Sequence, residues 1–365
     1  MITAKEVTDK IESYAPLDYQ ESYDNAGWVI GDPERPVEGV LIAIDMTMEV
    51  LDDAILHGEN LIITHHPLLF KPLRRLLQGD LLSAIISKAI KHDIMIYSAH
   101  TNIDNAWRGV NRELSDRLGL LRYRVLRPGQ GILKKLVVFV PDAYADKVRQ
   151  AVFSAGAGEI GDYAGCSYNL QGKGSFLPGE HSDPFVGKKG KLHFEPEQRV
   201  ETIFPKHLQH TVTEAMLKAH PYEEVAFDIY PLENLHERTG FGGIGEFKEP
   251  MLVDDFLELV KTKLQTPCLR YSGPKEKKIQ RVALCGGAGQ FLIRDAIQAK
   301  ADVFLSGDLK YHDFFRAEKQ IVIVDAGHFE TEQFTKDLFH AILIENFSTF
   351  AVRISQVNTN PVNYF

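Results

Sequence analysis

The chain is poor in cysteine: Cys166, Cys268 and Cys285 are all it has among 365 residues, and no two stand in C-x-x-C spacing. That argues against a disulfide framework and a thiolate zinc site, and it fits a reducing compartment. Long apolar runs are also lacking; none approaches the ~18–20 residues of a membrane span. Nor is positive charge in excess. The balance of 41 Lys and Arg against 50 Asp and Glu gives −9, so no global basic field draws nucleic acid, although a local patch is left open. The opening "MITAKEVTDKIESYAP" reads as an amphipathic helix, because charges interrupt the apolar core that a secretion signal needs. A cytoplasmic protein without a membrane anchor is the expectation.

What is present is ordinary globular composition, 44% apolar and 25% charged, at a length that suits two domains. "VEGVLIAIDMT" is a dense apolar strand ending near Asp45, and "MEVLDDAILHG" follows as a helix closed by Gly58. "ENLIITHHP" is a strand, "DLLSAIISKAIKHD" an amphipathic helix, and "IMIYSAHTNID" a strand again. Strands that alternate with helices and are almost continuously apolar predict a parallel sheet covered on both faces. After about residue 125 the style changes. "KKLVVFVPDAYADKVRQAVFSAG" and "QRVETIFP…HLQHTVTEAMLKAH…EEVAFDIYPLE" give two strand–helix–strand halves of a ferredoxin-like α+β unit. A stretch rich in Gly, Ser, Pro and Lys lies between them. The glycine-rich "TGFGGIGEF" marks the return to the first style. The expected organisation is therefore an α/β core made of residues 1–129 and 241–365, with helices on both faces of a mostly parallel sheet, interrupted by an inserted α+β domain at 130–240.

Four of the core strands end in polar clusters at their carboxyl ends: His65 and His66; His100 and Asp104; Asp308 and His312; Asp325, His328 and Glu332. Ligands of open α/β sheets sit outside the strand carboxyl ends, so residues more than 200 positions apart can share one rim. Singly, each cluster has an ordinary explanation. A His-His pair is usually a solvated loop feature, H-x-x-x-E a surface ion pair, and Asp104 an N-cap for "NAWRGVNRELSDRL". Their concurrence points to a shared metal site. Imidazoles and carboxylates without thiolate suit zinc, manganese, iron, cobalt or nickel. His328 and Glu332, four apart, project from one helix face. The two oxygens of Glu332 can bridge two cations, while adjacent His65 and His66 take one each and Asp104 adds a carboxylate. Two cations ~3.5–4 Å apart can activate a shared water and clamp a leaving oxygen. His100, at a strand end four residues before Asp104, is the candidate acid/base or ligand-orienting residue, and Asp308 and His312 are candidates to orient a ligand. "CGGAGQ" reads as a tight strand–helix turn rather than a phosphate cradle. "HPYEE", with His220, Glu223 and Glu224, reads as solvated helix-end charge. His57, His92, His207 and His210 read as surface residues.

With those residues in view, the chain resembles the NIF-three-like family, whose bacterial members are named as GTP cyclohydrolase I type 2 homologs. "YDNAGWVIGD", "ITHHP", "HTNID", "CGGAGQ", "SGDLKYHD" and "DAGHFETE" match its motifs in order. The interruption, closing on "HPYEEVAFDIYPL", resembles the PII-like or CutA-like insert of the longer members. The resemblance implies a dinuclear centre of two divalent cations per subunit on His65, His66, Asp104, His328 and Glu332, facing the cavity of a toroidal homohexamer. It leaves the substrate open. The leading expectation is a metal-dependent hydrolase acting on a nucleotide or another phosphorylated or cyclic small molecule. The rival is a metal-dependent ring that senses a small molecule through its insert without turnover. A ring that processes nucleic acid has the least support.

Overall fold

A computed structural model describes residues 1–317 and 319–364. The chain divides into two compact units, Met1–Pro128 with Arg238–Phe365, and Gly129–Glu237. In chain order the strands are β1 Gly27–Ile30, β2 Gly39–Ala43, β3 Leu61–Thr64, β4 Met95–Ser98, β5 Leu121–Gly129, β6 Leu133–Pro141, β7 Tyr168–Phe176, β8 His193–Pro205, β9 Phe227–Pro231, β10 His236–Leu252, β11 Arg270–Ser272, β12 Lys278–Ala288, β13 Val303–Gly307, β14 Val322–Asp325 and β15 Ala351–Ile354.

The first unit is mixed α/β, and its parallel strands fall into two sheets rather than one. The first sheet runs β1-β4-β3-β2-β15 and the second β11-β14-β13-β12-β10-β5. In the first, β15, β2, β3 and β4 are parallel neighbours and β1 closes the edge antiparallel. In the second, β12, β13 and β14 are parallel, and β10 and β11 flank them antiparallel. Apolar continuity along a strand reports burial on both faces, not lateral neighbours, so local pattern cannot tell one sheet from two.

Both sheets are covered on both faces. The helices Ala4–Tyr14 and Thr335–Asn346 bury one side of β2, β3 and β4, and Met48–His57 with Leu81–Lys91 bury the other. The second sheet is covered by Val110–Leu118 and Val253–Leu264 on one side and by Ile293–Gln298 with the 3-10 turn Tyr311–Ala317 on the other. The helix limits follow from local chemistry. Thr47 accepts the Val50 N–H at one end of Met48–His57, and Gly58 ends it in the left-handed conformation. Asp80 accepts the Ser83 N–H ahead of Leu81–Lys91. Ile42, Ile62, Ile63 and Ile96 are fully buried, each contributing about 1.5–3 kcal/mol.

Register places the site. Ala43, Thr64 and Ser98 stand side by side across β2, β3 and β4, so the residues that follow them leave from one rim. Ser306 stands beside Asp325 across β13 and β14, and the same holds for the second sheet. The glycine-rich "TGFGGIGEF" lies just where the first unit resumes and is part of the long strand β10. One reading changes. Asp104 ends the short helix Thr101–Asp104, and the N-cap of Val110–Leu118 is Gly109.

The second unit has the sheet order β7-β8-β6-β9 with every pair antiparallel. The helices Ala145–Ser154 and Gln209–Ala219 lie on one face, packed on Leu136, Val138, Val140 and Val200. Strand, helix, strand, strand, helix, strand in that order is a ferredoxin-like unit. By alternation, Phe139, Glu197 and Arg199 belong to the face without helices. Among the described residues no helix is long and apolar enough to cross a membrane.

Candidate metal centre

His65 leaves β3 fully buried. Its Nδ1–H donates to the Ala99 carbonyl at 2.9 Å. A carbonyl only accepts, so in the neutral ring Nε2 carries the lone pair. That lone pair stands 3.6 Å from Asp104 Oδ1 and 3.7 Å from Glu332 Oε2. Neither His65 Nε2 nor Asp104 Oδ1 has a hydrogen-bond partner among the described residues. Burial lowers the His65 pKa, with Glu332 pulling the other way. A neutral ring aiming a lone pair at two carboxylates is repulsive by itself, and a cation between them makes all three contacts favourable.

A second set meets the first at Glu332. His328 and Glu332 lie one turn apart on the helix His328–Glu332, with Nε2 and Oε2 at 3.0 Å. His66 Nε2 is also 3.0 Å from Glu332 Oε2, and 3.3 Å from His328 Nε2. The far nitrogens are tied back to carboxylates. His66 Nδ1–H donates to Asp45 at 2.7 Å and His328 Nδ1–H to Asp308 at 2.8 Å. Such outer carboxylates orient an imidazole and raise its basicity. Burial opposes charge on both rings, but Asp45 and Glu332 hold His66 at about 10, and Glu332 with Asp308 holds His328 at about 9. Burial likewise opposes the Glu332 carboxylate, and the surrounding histidines outweigh it, keeping its pKa well below the ordinary range. Burial and the Glu332 charge push Asp104 the other way. Asp308 is in the left-handed region at φ 56°, which costs a non-glycine residue roughly 1–2 kcal/mol, and that conformation accompanies its hydrogen bond to His328.

The structure thus brings His65, His66, Asp104, His328 and Glu332 together as two candidate ligand sets that share Glu332: His66, His328, Glu332 and His65, Asp104, Glu332. His100 lies beside them, its ring 5.4 Å from that of His65 and 5.5 Å from that of His66. With His65 and His66 it forms a third candidate set. Its Nδ1–H donates to Asp24 at 2.7 Å. Burial works against the Asp24 carboxylate, and His100 with Thr101 overcomes it, lowering its pKa. His312 is exposed and stays with Tyr311 and Phe315. Sequence reading missed Asp24 and Asp45 as partners of histidines; both lie in quoted motifs, but nothing in spacing marks a carboxylate that reaches across from another segment.

The turn "CGGAGQ" does not cradle an anion with its amides. Gly286, Gly287 and Gly289 donate to Asn111, Thr331 and Ser306 at 3.0, 3.0 and 2.9 Å. Gly287, at φ 58°, is required by proximity: a Cβ there would stand 2.2 Å from Glu332 Oε1. Burial, Asp104 and Glu332 keep the Cys285 thiol pKa raised. Two cavities flank it. One of about 490 Å³ is lined by His66, His328, Arg270 and Tyr364, and one of about 370 Å³ by His66, His100, Asp104 and Glu332. "HPYEE" has no part in the centre; His220 is locked in the second unit by hydrogen bonds to the Phe139 carbonyl and the Tyr222 N–H.

Strand-end histidines and carboxylates from two covered sheets, gathered around one glutamate, define an α/β protein with a centre able to hold metal. The chain belongs to the Duf34/NIF3 (NGG1p interacting factor 3) family, whose sequence profile matches residues 2–361. It is 40% identical over 363 residues to the GTP cyclohydrolase 1 type 2 homolog of Halalkalibacterium halodurans, covering 98% of each chain. It is 37% identical over 369 residues to the Bacillus subtilis protein of the same name, covering 100% of this chain and 99% of that one. The crystal structure of a Bacillus cereus protein related to NIF3 superposes with a TM-score of 0.87 at 39% identity, covering 100% of this chain and 99% of that one.

Proposed function

We propose that the protein holds two divalent cations and is a metal-dependent hydrolase of a nucleotide or another phosphorylated or cyclic small molecule. The observation that carries this reading is the pair of ligand sets sharing Glu332, one of which has His65 Nε2 and Asp104 Oδ1 buried without hydrogen-bond partners among the described residues. His66, His328 and Glu332 would hold one ion and His65, Asp104 and Glu332 the other; zinc, manganese, iron, cobalt and nickel all suit such donors. Bound there, the ions supply Lewis acidity at a leaving oxygen and to water. The rest belongs to the chain. Asp45, Asp308 and the Ala99 carbonyl fix three imidazoles so that each Nε2 faces inward. Asp24 holds His100 by Nδ1, which leaves His100 Nε2 to take or give a proton. Arg270, exposed and paired with Asp325 in the larger flanking cavity, offers donors to an anionic group of the ligand. Cavities of this size suit a small molecule. Relatives named for GTP cyclohydrolase chemistry support the nucleotide class. A homohexameric ring, implied by the family resemblance, is part of the proposal, and its test is the mass in solution.

A second reading keeps the metals and removes turnover: a ring that senses a ligand through the inserted unit. A cavity of about 670 Å³ within that unit favours it. One experiment addresses both. The purified protein, saturated with each metal in turn, is screened for product release from nucleotides and phosphoesters, with Glu332→Gln as control. Product release lost in the variant supports the hydrolase; binding without product in every metal form favours the sensor.

A further inference from the structure

The cavity in the second unit is made by subtraction. On the sheet face without helices, Gly172 of β7 stands opposite Glu197 of β8 and Gly174 opposite Glu195, and the missing side chains of the two glycines leave a hollow. Phe139, Phe176, Phe185 and Tyr222 wall it. Phe176 and Phe185 stand 5.9 and 6.2 Å from the Tyr222 ring, and Phe185 meets Tyr144 edge-on at 5.6 Å. The segment that carries Phe185 is tied down where the Asp183 N–H donates to Glu223 at 2.7 Å.

Among the polar residues that line this space, Glu197 is the buried one. Glu197 is 8% exposed, lines the cavity and lies over Gly174, where a Cβ would meet its Oε2 at 2.1 Å. Its Oε1 accepts the Tyr222 hydroxyl at 3.0 Å. A carboxylate accepts about four hydrogen bonds, so one from Tyr222 leaves capacity for an occupant. Burial raises the Glu197 pKa, the Tyr222 hydrogen bond opposes it and the nearby Glu195 charge adds to it. Of the cations on the lining, Arg199 pairs with Glu201 through Nη2 at 2.9 Å while its Nε is buried without a hydrogen-bond partner among the described residues, and the Lys173 ammonium sits 5.1 Å from the Phe194 ring.

We infer that this hollow is a second ligand site, separate from the metal centre, for a flat nitrogen-rich aromatic molecule that presents a paired N–H edge. Aromatic walls take the flat faces, and the planar carboxylate takes two parallel N–H donors of an amidine or aminopyrimidinone edge. The role of "HPYEE" follows: His220 locks the turn, Tyr222 supplies a wall and a hydrogen bond, and Glu223 anchors the segment opposite. The inference does not depend on hydrolysis.

The test is calorimetric titration of the full chain with benzamidine and with guanosine, with adenosine as the analogue lacking that paired edge, before and after metal is stripped. Saturable binding of benzamidine or guanosine, unaffected by chelator and at least about tenfold tighter than adenosine, is the expected result. Glu197→Gln should weaken it at least about tenfold. Gly172→Leu fills the hollow from a position where a Cβ meets nothing closer than the Glu197 carbonyl oxygen at 3.9 Å, so it should abolish binding while melting like the parent. Failure of both probes to bind, binding lost on chelation, or binding unchanged in a folded Gly172→Leu variant overturns the inference.

Discussion

The metal centre and the inserted hollow hold a ligand by opposite means. In the first unit, donors arrive from the ends of β3, β4 and β14 and crowd together until two polar atoms are left buried without partners. In the second, one sheet omits side chains at Gly172 and Gly174 and leaves space beside the buried carboxylate of Glu197. Buried lone pairs without partners specify the kind of group that must arrive, because an electron-pair acceptor such as a cation satisfies them. A hollow specifies mainly shape. The first arrangement should therefore be intolerant of charge changes and the second of added volume.

The largest effect expected is at Glu332. Glu332→Gln keeps the size but removes the charge shared by both ligand sets, so two close dications lose their common anion. The variant should fold, lose at least one ion and lose any hydrolytic activity, whereas His66→Ala should retain one ion. Elemental analysis after titration to saturation reads both. If Glu332→Gln kept both ions while His66→Ala lost both, the shared-glutamate arrangement would be wrong.

Next is added volume in the polar site. Gly287→Ala places a methyl 2.2 Å from Glu332 Oε1 at φ 58°, so the carboxylate must move. Metal affinity should fall, and the backbone alone should cost roughly 1–2 kcal/mol of stability; denaturant melts of the stripped protein separate the two. Unchanged affinity would mean that the Glu332 position is not critical.

Removing an outer partner should cost less. Asp308→Asn leaves His328 in place but weakens the hold on Nδ1, and metal affinity should fall about 10–100-fold. Competition with a chelating dye measures it, and no change would make Asp308 a bystander.

A subtler distinction is in pH. In metal-free protein His66 and His328 have pKa values raised to about 10 and about 9, above the unfolded value of about 6.5. Their contribution to stability is complete below that unfolded value and is lost as pH rises through 9 to 10. Metal binding runs the other way, since it needs the imidazoles deprotonated. Melting temperatures of stripped and loaded protein should therefore diverge as pH is raised from 7 to 10, and parallel curves would contradict the site.

The smallest expected effect is from deleting the second unit. With Gly129–Glu237 replaced by a short Gly-Ser linker, metal stoichiometry should not change, because every proposed ligand lies in the first unit. Aggregation with loss of metal would show that the first unit does not fold without the second.

The sequence by itself determined the strands and the residue types at their ends. Dense apolar runs are legible because a strand buried on both faces needs them, and His65, His66, His100 and His328 are conspicuous because polar residues directly after such runs must find partners. The convergence of the five proposed ligands was therefore readable. Three things were decided only by the tertiary structure. The parallel strands divide between two sheets, since pairing is lateral and leaves no periodic trace. Asp24 and Asp45 reach His100 and His66 across 76 and 21 positions, through contacts that chain spacing does not encode. And Glu197, which nothing in the sequence singles out, becomes a buried acceptor because two glycines on the neighbouring strand leave room for it, a relation that exists only once β7 and β8 are in register.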